Sequence, residues 1–407
     1  MQEQSFRILD KGLDAVEGFF SCGINCGIKK SRKDLAILFS RVPATAAGVF
    51  TRNSVVAAPV TVTREHLQRG GNLQAVVINS GVANACTGSR GLDDARFVAH
   101  VVAREFSLPD PALVGVASTG VIGDFLPLEK IETGVRLLRE RTYEKCGDHS
   151  AALAIMTTDT FPKERSVSFS IDEKTVNLAA IAKGAGMIRP DMATMLAFLI
   201  TDAAVDGEVL QEVLQESVDA SFNRVTVDGD TSTNDMVLIL ANGSSGSSTI
   251  DRNHPDYPTF KEAMQWVCTE LAKDLARDGE GATKFLNVVV EGAATPEDAR
   301  KAAFTVAESM LVKTALFGED PNWGRVMAAL GRSGADFEPA RVSLSVNGTP
   351  FVRDGMGTSE GGREVLRKVM CAQEIEMIIR LGTGQGSFNV WTCDLSVDYV
   401  KINSHYS

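Results

Sequence analysis

Two hydrophobic periods alternate along the chain. The short apolar run Ala75 to Ile78 predicts a strand, and the stripe Phe97, Val98, Val101 and Val102, at steps of one, three and one, predicts one face of a helix. Phe260, Met264, Val267, Leu271 and Leu275 follow at steps of four, three, four and four and predict a second amphipathic helix, stopped by Asp278 and Gly279. Core packing accounts for both stripes. Near the C-terminus the period changes to two: Val342, Leu344 and Val346 alternate with Arg341, Ser343 and Ser345, meet Asn347-Gly348, and apolar residues resume at Phe351. That is a hairpin signal. Leu395, Val397 and Tyr399 alternate likewise and predict a further strand. Helical rhythm and hairpins together predict an α/β (mixed α+β) fold, with mixed β-sheets packed by helices. The polar stretch NGSSGSST at 242–249 reads as a surface loop or as a domain joint.

Composition narrows the function. With 407 residues, 44% hydrophobic and 23% charged, the chain is long enough to bury an enzyme-sized core. Its 41 basic and 52 acidic residues give a net charge of −11. A nucleic-acid partner is disfavoured, since phosphate binding calls for clustered positive charge. Met192 to Thr201, the longest apolar run, is about half a membrane span, and Met1 to Lys11 has no signal-peptide pattern. A cytoplasmic protein with no membrane partner is expected. Seven cysteines, at 22, 26, 86, 146, 268, 371 and 393, form no disulfide framework by spacing, and a reducing compartment is the default. Cys22 and Cys26 miss the redox spacing, and no second Cys/His pair completes a metal site, so no metal is expected.

Several nucleotide and ion motifs fail on inspection. Gly115 and Gly120 sit at P-loop spacing, but Val121 stands where the phosphate-binding Lys belongs. Gly184 and Gly186 begin a dinucleotide fingerprint whose third glycine position holds Arg189. Asp228, Asp230, Asn234 and Asp235 in VDGDTSTND suggest calcium, but Thr233 and Ile239 occupy the positions of the turn glycine and the bidentate carboxylate. No histidine lies in a recognisable triad context. What remains is KGAGMIRPDMATMLAFLITD at 183–202, where a glycine turn with one Lys and one Arg runs through a proline into Ala193, Thr194 and an apolar strand.

These residues resemble the ornithine acetyltransferase family of arginine biosynthesis, also called the bifunctional glutamate N-acetyltransferases. Besides KGAGM and ATML, the resemblance is carried by FTRNSVVAAPV at 50–60, NSGVANACTG at 79–88, STGVIG at 118–123 and AIMTTDTFPK at 154–163. It continues through SFNRVTVDGDTSTND at 221–235, DGEGATK at 278–284, VKTALFGEDPNWGR at 312–325 and DLSVDYVKIN at 394–403. So many ordered strings span nearly the whole chain.

The resemblance implies a self-processing fold cut between Ala193 and Thr194, giving an α fragment of residues 1–193 and a β fragment of 194–407. The chemistry is coherent. A Thr hydroxyl can attack the preceding carbonyl in a strained turn, and hydrolysis of the ester frees an α-amine beside the hydroxyl. With an α-amino pKa of about 7.7–8.0, roughly 10–17% of that amine is neutral at pH 7, so the nucleophile carries its own base. The resemblance places oxyanion stabilisers at Thr119 and Gly120, and substrate contacts at Thr157, Lys183, Thr194, Glu280 and Asn403. Ser407 stands in for a terminal hydroxyl that the family pattern sets five residues after its Asn. The implied reaction moves acetyl from N-acetylornithine to glutamate through acetyl-Thr194, with no cofactor, and with acetyl-CoA as a co-substrate where the enzyme is bifunctional. An α2β2 heterotetramer of processed fragments is implied as well. Two alternatives stand beside this reading: a self-processing aminopeptidase or amidase of related fold, and a non-catalytic amino-acid-binding scaffold.

Overall fold

A computed structural model describes residues 5–143, 146, 149–189, 195–358 and 362–404. Ala193, Thr194 and Ser407 lie outside the described residues. The chain forms two compact units, the first comprising Met1–Gly184, Asp191–Asn223 and Thr231–Leu271, the second Ala185–Pro190, Arg224–Asp230 and Ala272–Ser407.

In the first unit, nine strands among the described residues make one mixed sheet: β1 (Phe6–Leu9), β2 (Phe19–Ile24), β3 (Leu35–Phe50), β4 (Asn72–Val82), β5 (Val114–Val121), β6 (Lys163–Ile171), β7 (Lys174–Lys183), β8 (Leu196–Thr201) and β9 (Met236–Ala241). Their order is β1-β6-β7-β8-β9-β3-β4-β5, with β2 also on β3. The β4–β5 and β8–β9 pairs are parallel and the others antiparallel. Strand β3 is long enough to serve three neighbours: Leu35–Ser40 pair with β2 and Leu35–Phe39 with β4, and beyond a register shift between Phe39 and Ala44, Ala44 and Thr45 pair again with β4 and Thr45–Phe50 with β9. Pro43 falls in that irregular stretch, where its missing N–H does least damage.

Side-chain alternation sends β3 and β4 residues to both faces. Ala36, Leu38, Val76 and Ile78 join one core cluster, while Leu35, Ile37, Ala75 and Val77 join another. Burial on both faces explains the unbroken apolar run in β4. Helices α1 (Ala58–Gly70), α2 (Gly88–Glu105), α3 (Leu128–Glu140), α4 (Ser150–Ile155) and α5 (Gly207–Ala220) flank this sheet. The expected stripe on α2 holds for Val98, Val101 and Val102, but Phe97 is exposed, and Ala95 and Ala99 complete the buried face instead. The long helix α6 (Tyr257–Arg277) carries all five predicted apolar positions, each fully or nearly fully buried. The NGSSGSST stretch runs from β9 toward α6 inside the first unit, so it is a surface loop.

The second unit holds a six-stranded mixed sheet among its described residues: β10 (Phe285–Ala293), β11 (Ser343–Val346), β12 (Thr349–Arg353), β13 (Met356–Gly357), β14 (Glu374–Arg380) and β15 (Gly386–Cys393), in the order β13-β12-β11-β14-β10-β15. Helices α7 (Pro296–Ala307), α8 (Met310–Phe317), α9 (Trp323–Gly331) and α10 (Gly362–Met370) accompany it, and its core gathers Val288, Val290, Ala303, Leu344, Val352 and Ile379. The predicted hairpin is β11–β12, with Asn347 and Gly348 both at positive φ, 44° and 76°. The mixed-sheet α/β expectation is met in both units.

Two expectations are corrected. The alternation at Leu395, Val397 and Tyr399 is not a strand: Val397–Asn403 is helix α11, capped by the Ser396 hydroxyl, which accepts from the Asp398 N–H at 3.1 Å. Val397 and Val400 stay exposed, so no buried face opposes the cap signal. Cysteine spacing gave no sign of pairing, yet Cys22 on β2 and Cys146 form a disulfide across 124 residues. Chain folding, which spacing does not encode, creates that neighbourhood. The free cysteines are Cys26, Cys86, Cys268, Cys371 and Cys393.

Candidate active site

The C-terminal ends of the parallel strands β4 and β5 lie side by side, with Ser80 opposite Thr119 and Gly81 opposite Gly120, and the register shifts at Val82. Gly120 adopts φ +133°, and a Cβ there would lie 2.2 Å from the Gly81 carbonyl carbon. Only glycine fits so close an approach. This places Thr119, 5% exposed, near the irregular C-terminal end of β5.

The Lys183 ammonium, at the end of β7, donates to Thr119 Oγ1 at 3.1 Å, and its residue is 2% exposed. An ammonium has donors and no acceptor, so Thr119 must accept here and keep its own O–H to donate elsewhere. Asp159 organises the rest. Its Oδ1 accepts from Lys163 Nζ and from Gly184 N–H, both at 2.7 Å, and its Oδ2 accepts from Thr157 N–H at 2.9 Å. Burial alone would push this carboxyl up, but the ammonium groups of Lys163 and Lys183, with the hydrogen bonds, hold it well below the usual carboxylate range. Thr119, Thr157 and Lys183 therefore come together around one buried anion.

Sequence reasoning passed over Asp159, although it lies inside the quoted AIMTTDTFPK string. It also missed Lys29, whose Nζ donates to Ser80 Oγ at 2.5 Å and Met156 O at 2.6 Å. Burial, reinforced by the like charges of Lys183 and Arg32 against Asp34 and Asp159, lowers its pKa to about 8. Asn234 was visible in VDGDTSTND but weighed as a calcium ligand. Its Nδ2 donates to Ala83 O at 2.7 Å and Ser118 O at 2.9 Å, while Ser118 Oγ donates to Asn79 Oδ1 at 2.6 Å. The strand end bearing Thr119 is thus held by buried amides.

In the second unit, Asn403 Nδ2 donates to the Glu280 carboxylate at 2.7 Å and to Tyr399 O at 3.0 Å. Glu280 is 8% exposed, and its N–H donates to Ala185 O at 2.9 Å. A Cβ on Gly186 would lie 2.5 Å from the Glu280 carboxyl carbon, so the KGAGM turn needs its second glycine to admit that side chain. Asp228 receives the N–H groups of Met187 at 2.5 Å and Ile188 at 2.9 Å, and the Tyr399 hydroxyl at 3.3 Å. Burial, then the charges of Asp228 and Glu280, push the Tyr399 phenol up. The acidic VDGDTSTND stretch is divided, Asp228 and Asp230 belonging to the second unit and Asn234 and Asp235 to the first. Among the described residues, Asp172, His254 and Asp256 bring potential ligand atoms within 4.8 Å of one another, but these groups already bond Ser248 and loop amides.

Chemically, a threonine O–H freed for donation beside a glycine N–H at a fixed strand end can stabilise an oxyanion. The ArgJ family model matches residues 21–407. The arginine biosynthesis bifunctional protein ArgJ of Symbiobacterium thermophilum is 50% identical over 398 residues, which cover 97% of this chain and 98% of that protein. Its Bacillus subtilis counterpart of the same name is 43% identical, covering 96% and 95%. A crystal structure of ornithine acetyltransferase from Mycobacterium tuberculosis, complexed with ornithine, is 44% identical and covers 46% of this chain and 98% of its own, with a TM-score of 0.43. The chain belongs to the ArgJ family.

Proposed function

We propose that this protein is an arginine-biosynthesis N-acetyltransferase that cuts itself between Ala193 and Thr194 and then moves acetyl from N-acetylornithine to glutamate. The observation that carries the reading is the Lys183–Thr119 contact beside Gly120, which leaves a buried hydroxyl free to donate to a developing negative charge. Kinship with arginine biosynthesis bifunctional ArgJ proteins over 97% of the chain supports a place in arginine biosynthesis.

In this reading the Thr194 amine takes the hydroxyl proton as Oγ attacks the acetyl carbonyl. The Gly120 N–H and Thr119 O–H hold the oxyanion. Collapse expels the ornithine amine, which takes the proton, and leaves acetyl on Thr194 Oγ. The glutamate amine then attacks the ester and gives a proton to the Thr194 amine; the bond between the acetyl carbon and Oγ breaks, Oγ takes that proton back, and N-acetylglutamate departs. Acetyl passes from one amine to another, so no nucleotide is needed to drive the exchange; acetyl-CoA serves as a second donor where the enzyme is bifunctional. Lys183 and Thr157 are assigned to substrate contact in the first unit. In the second, the Glu280 carboxylate, fixed by Asn403, is assigned to a substrate ammonium, with Ser407 as a further contact. The processed fragments assemble as α2β2.

The test is transfer of labelled acetyl from N-acetylornithine to glutamate, with initial rates at several concentrations of each. Parallel double-reciprocal lines and loss of both cleavage and transfer in Thr194→Ala are expected. A cleaved, active Thr194→Ala enzyme, or labelled acetate in place of N-acetylglutamate, would refute the proposal.

A further inference from the structure

The loop that joins β2 to β3, residues 25–34, folds back onto the end of β4. Asp34 fixes it from inside. Its buried carboxylate accepts the N–H groups of Cys26 at 2.7 Å and Lys29 at 2.8 Å, and its carbonyl accepts the Ser80 N–H at 2.9 Å. Ile28 and Lys29 are thereby laid on Gly81, which adopts φ +114°: a Cβ there would lie 2.8 Å from Ile28 Cγ2 and 3.5 Å from Lys29 Cγ. Gly81 is also the residue that Gly120 approaches most closely. One glycine is therefore shared by this loop and the strand end bearing the candidate oxyanion donors.

The Lys29 ammonium carries the contact further. Its three protons match three acceptors, Ser80 Oγ at 2.5 Å, Met156 O at 2.6 Å and Lys33 O at 3.4 Å, so the group is spent on the protein and not on a ligand. Ser80 Oγ is buried as well, and donates its own proton to Ala154 O at 2.5 Å. Burial, and then the charges of Lys183 and Arg32, oppose a cation at this place. Its contacts nevertheless join the β4 end, where Ser80 stands opposite Thr119, to the segment that leads through Met156 into Thr157.

We propose that Lys29 is a positioning residue for acetyl transfer, holding the β4 end against Thr119 and Gly120 through Ser80 and Gly81 while its bond to the Met156 carbonyl fixes the neighbouring Thr157. This rests on the reading of Thr119, Gly120 and Thr157 given above. The two links act on different constants. The Ser80 link acts on kcat, because the oxyanion that Thr119 and Gly120 meet exists only after attack has begun. The Met156 link acts on KM, because Thr157 is assigned to the bound substrate. Ser80→Ala removes the first link alone, and Lys29→Met removes both while keeping the apolar stem over Gly81.

The experiment uses the full chain, with kcat and KM for N-acetylornithine measured at saturating glutamate and folding checked by circular dichroism. Ser80→Ala is expected to lower kcat at least about fivefold with KM within about twofold of wild type. Lys29→Met is expected to lower kcat at least about tenfold and to raise KM at least about threefold. Because the two residues share one link, the kcat loss of the double variant should fall short of the product of the single losses by at least about threefold. If Lys29→Met does not fold and mature, Lys29→Gln takes its place with the same readings. A folded lysine variant with both constants within about twofold of wild type overturns the proposal even where its Tm has dropped, as do an unchanged kcat in Ser80→Ala and single losses that simply multiply. Thr119→Val, assayed alongside, separates the two failures: a wild-type rate there refutes the oxyanion reading itself, whereas a slowed Thr119→Val beside a normal Lys29→Met removes only the role of Lys29.

Discussion

Replacing Lys163 by methionine tests the buried anion that organises the first unit. Both side chains of the Lys163–Asp159 pair are 0% exposed, and their atoms lie 2.7 Å apart. Methionine fills much of the lysine's volume, so the loss is mainly electrostatic. Asp159 would keep the N–H groups of Thr157 and Gly184 and the nearby Lys183 charge, but not its shortest charged partner. Breaking a buried pair from one side costs about 3–5 kcal/mol, which at about 2–4 °C per kcal/mol corresponds to a Tm lowered by roughly 6–20 °C. Differential scanning calorimetry at pH 7 on Lys163→Met, Asp159→Asn and the double variant measures this, and the double variant should lose less than the sum of the singles. The pH dependence has a defined sign. Asp159 has a folded pKa below its unfolded value of about 3.9, so its stabilisation is full above that value and fades as pH falls toward the folded one. The gap between wild type and Lys163→Met should therefore persist at neutral pH and narrow below about pH 4. A Tm within about 2 °C of wild type, or strictly additive losses, would refute the reasoning.

Three further outcomes are expected. Thr119→Val should lower kcat by about 10²–10³-fold with fragments still formed and folded, whereas Thr119→Ser, which keeps the donor, should stay within about tenfold; steady-state kinetics decide. Gly120→Ala should disrupt the β4–β5 strand ends, because its Cβ meets Gly81 at 2.2 Å in a positive-φ conformation, and a melting profile matching wild type would contradict the close approach. Lys29 has its pKa lowered to about 8 in the folded chain, so between about pH 8 and 10.5 the unfolded state binds more protons and this residue's contribution to stability rises with pH. Denaturant titrations of Lys29→Met across that interval should lack the rise.

Much of the architecture was legible because it follows local rules. The β11–β12 hairpin announced itself through Asn347-Gly348, and α6 through five apolar positions on one face. The end of the chain misled because alternation over Leu395 to Tyr399 fits a strand as well as a short helix, and the deciding signal was the Ser396 cap. Family strings pointed to Thr119, Lys183, Glu280 and Asn403, and the structure pairs Thr119 with Lys183 and Glu280 with Asn403. Asp159 and Lys29 were not legible. Their importance comes from burial and from partners far along the chain, such as Met156 for Lys29, 127 residues away, and no spacing rule carries that information. The Cys22–Cys146 bond was hidden for the same reason.

The central claim is that Thr194 becomes a free N-terminus. Intact mass under denaturing conditions, with N-terminal sequencing of each band, tests it directly. Dividing 43.6 kDa in the ratio of 193 to 214 residues predicts fragments of about 21 and 23 kDa, the heavier beginning Thr-Met-Leu. A single 43.6 kDa species from active protein would contradict the account, since Thr194 would then have no amine of its own to serve as base.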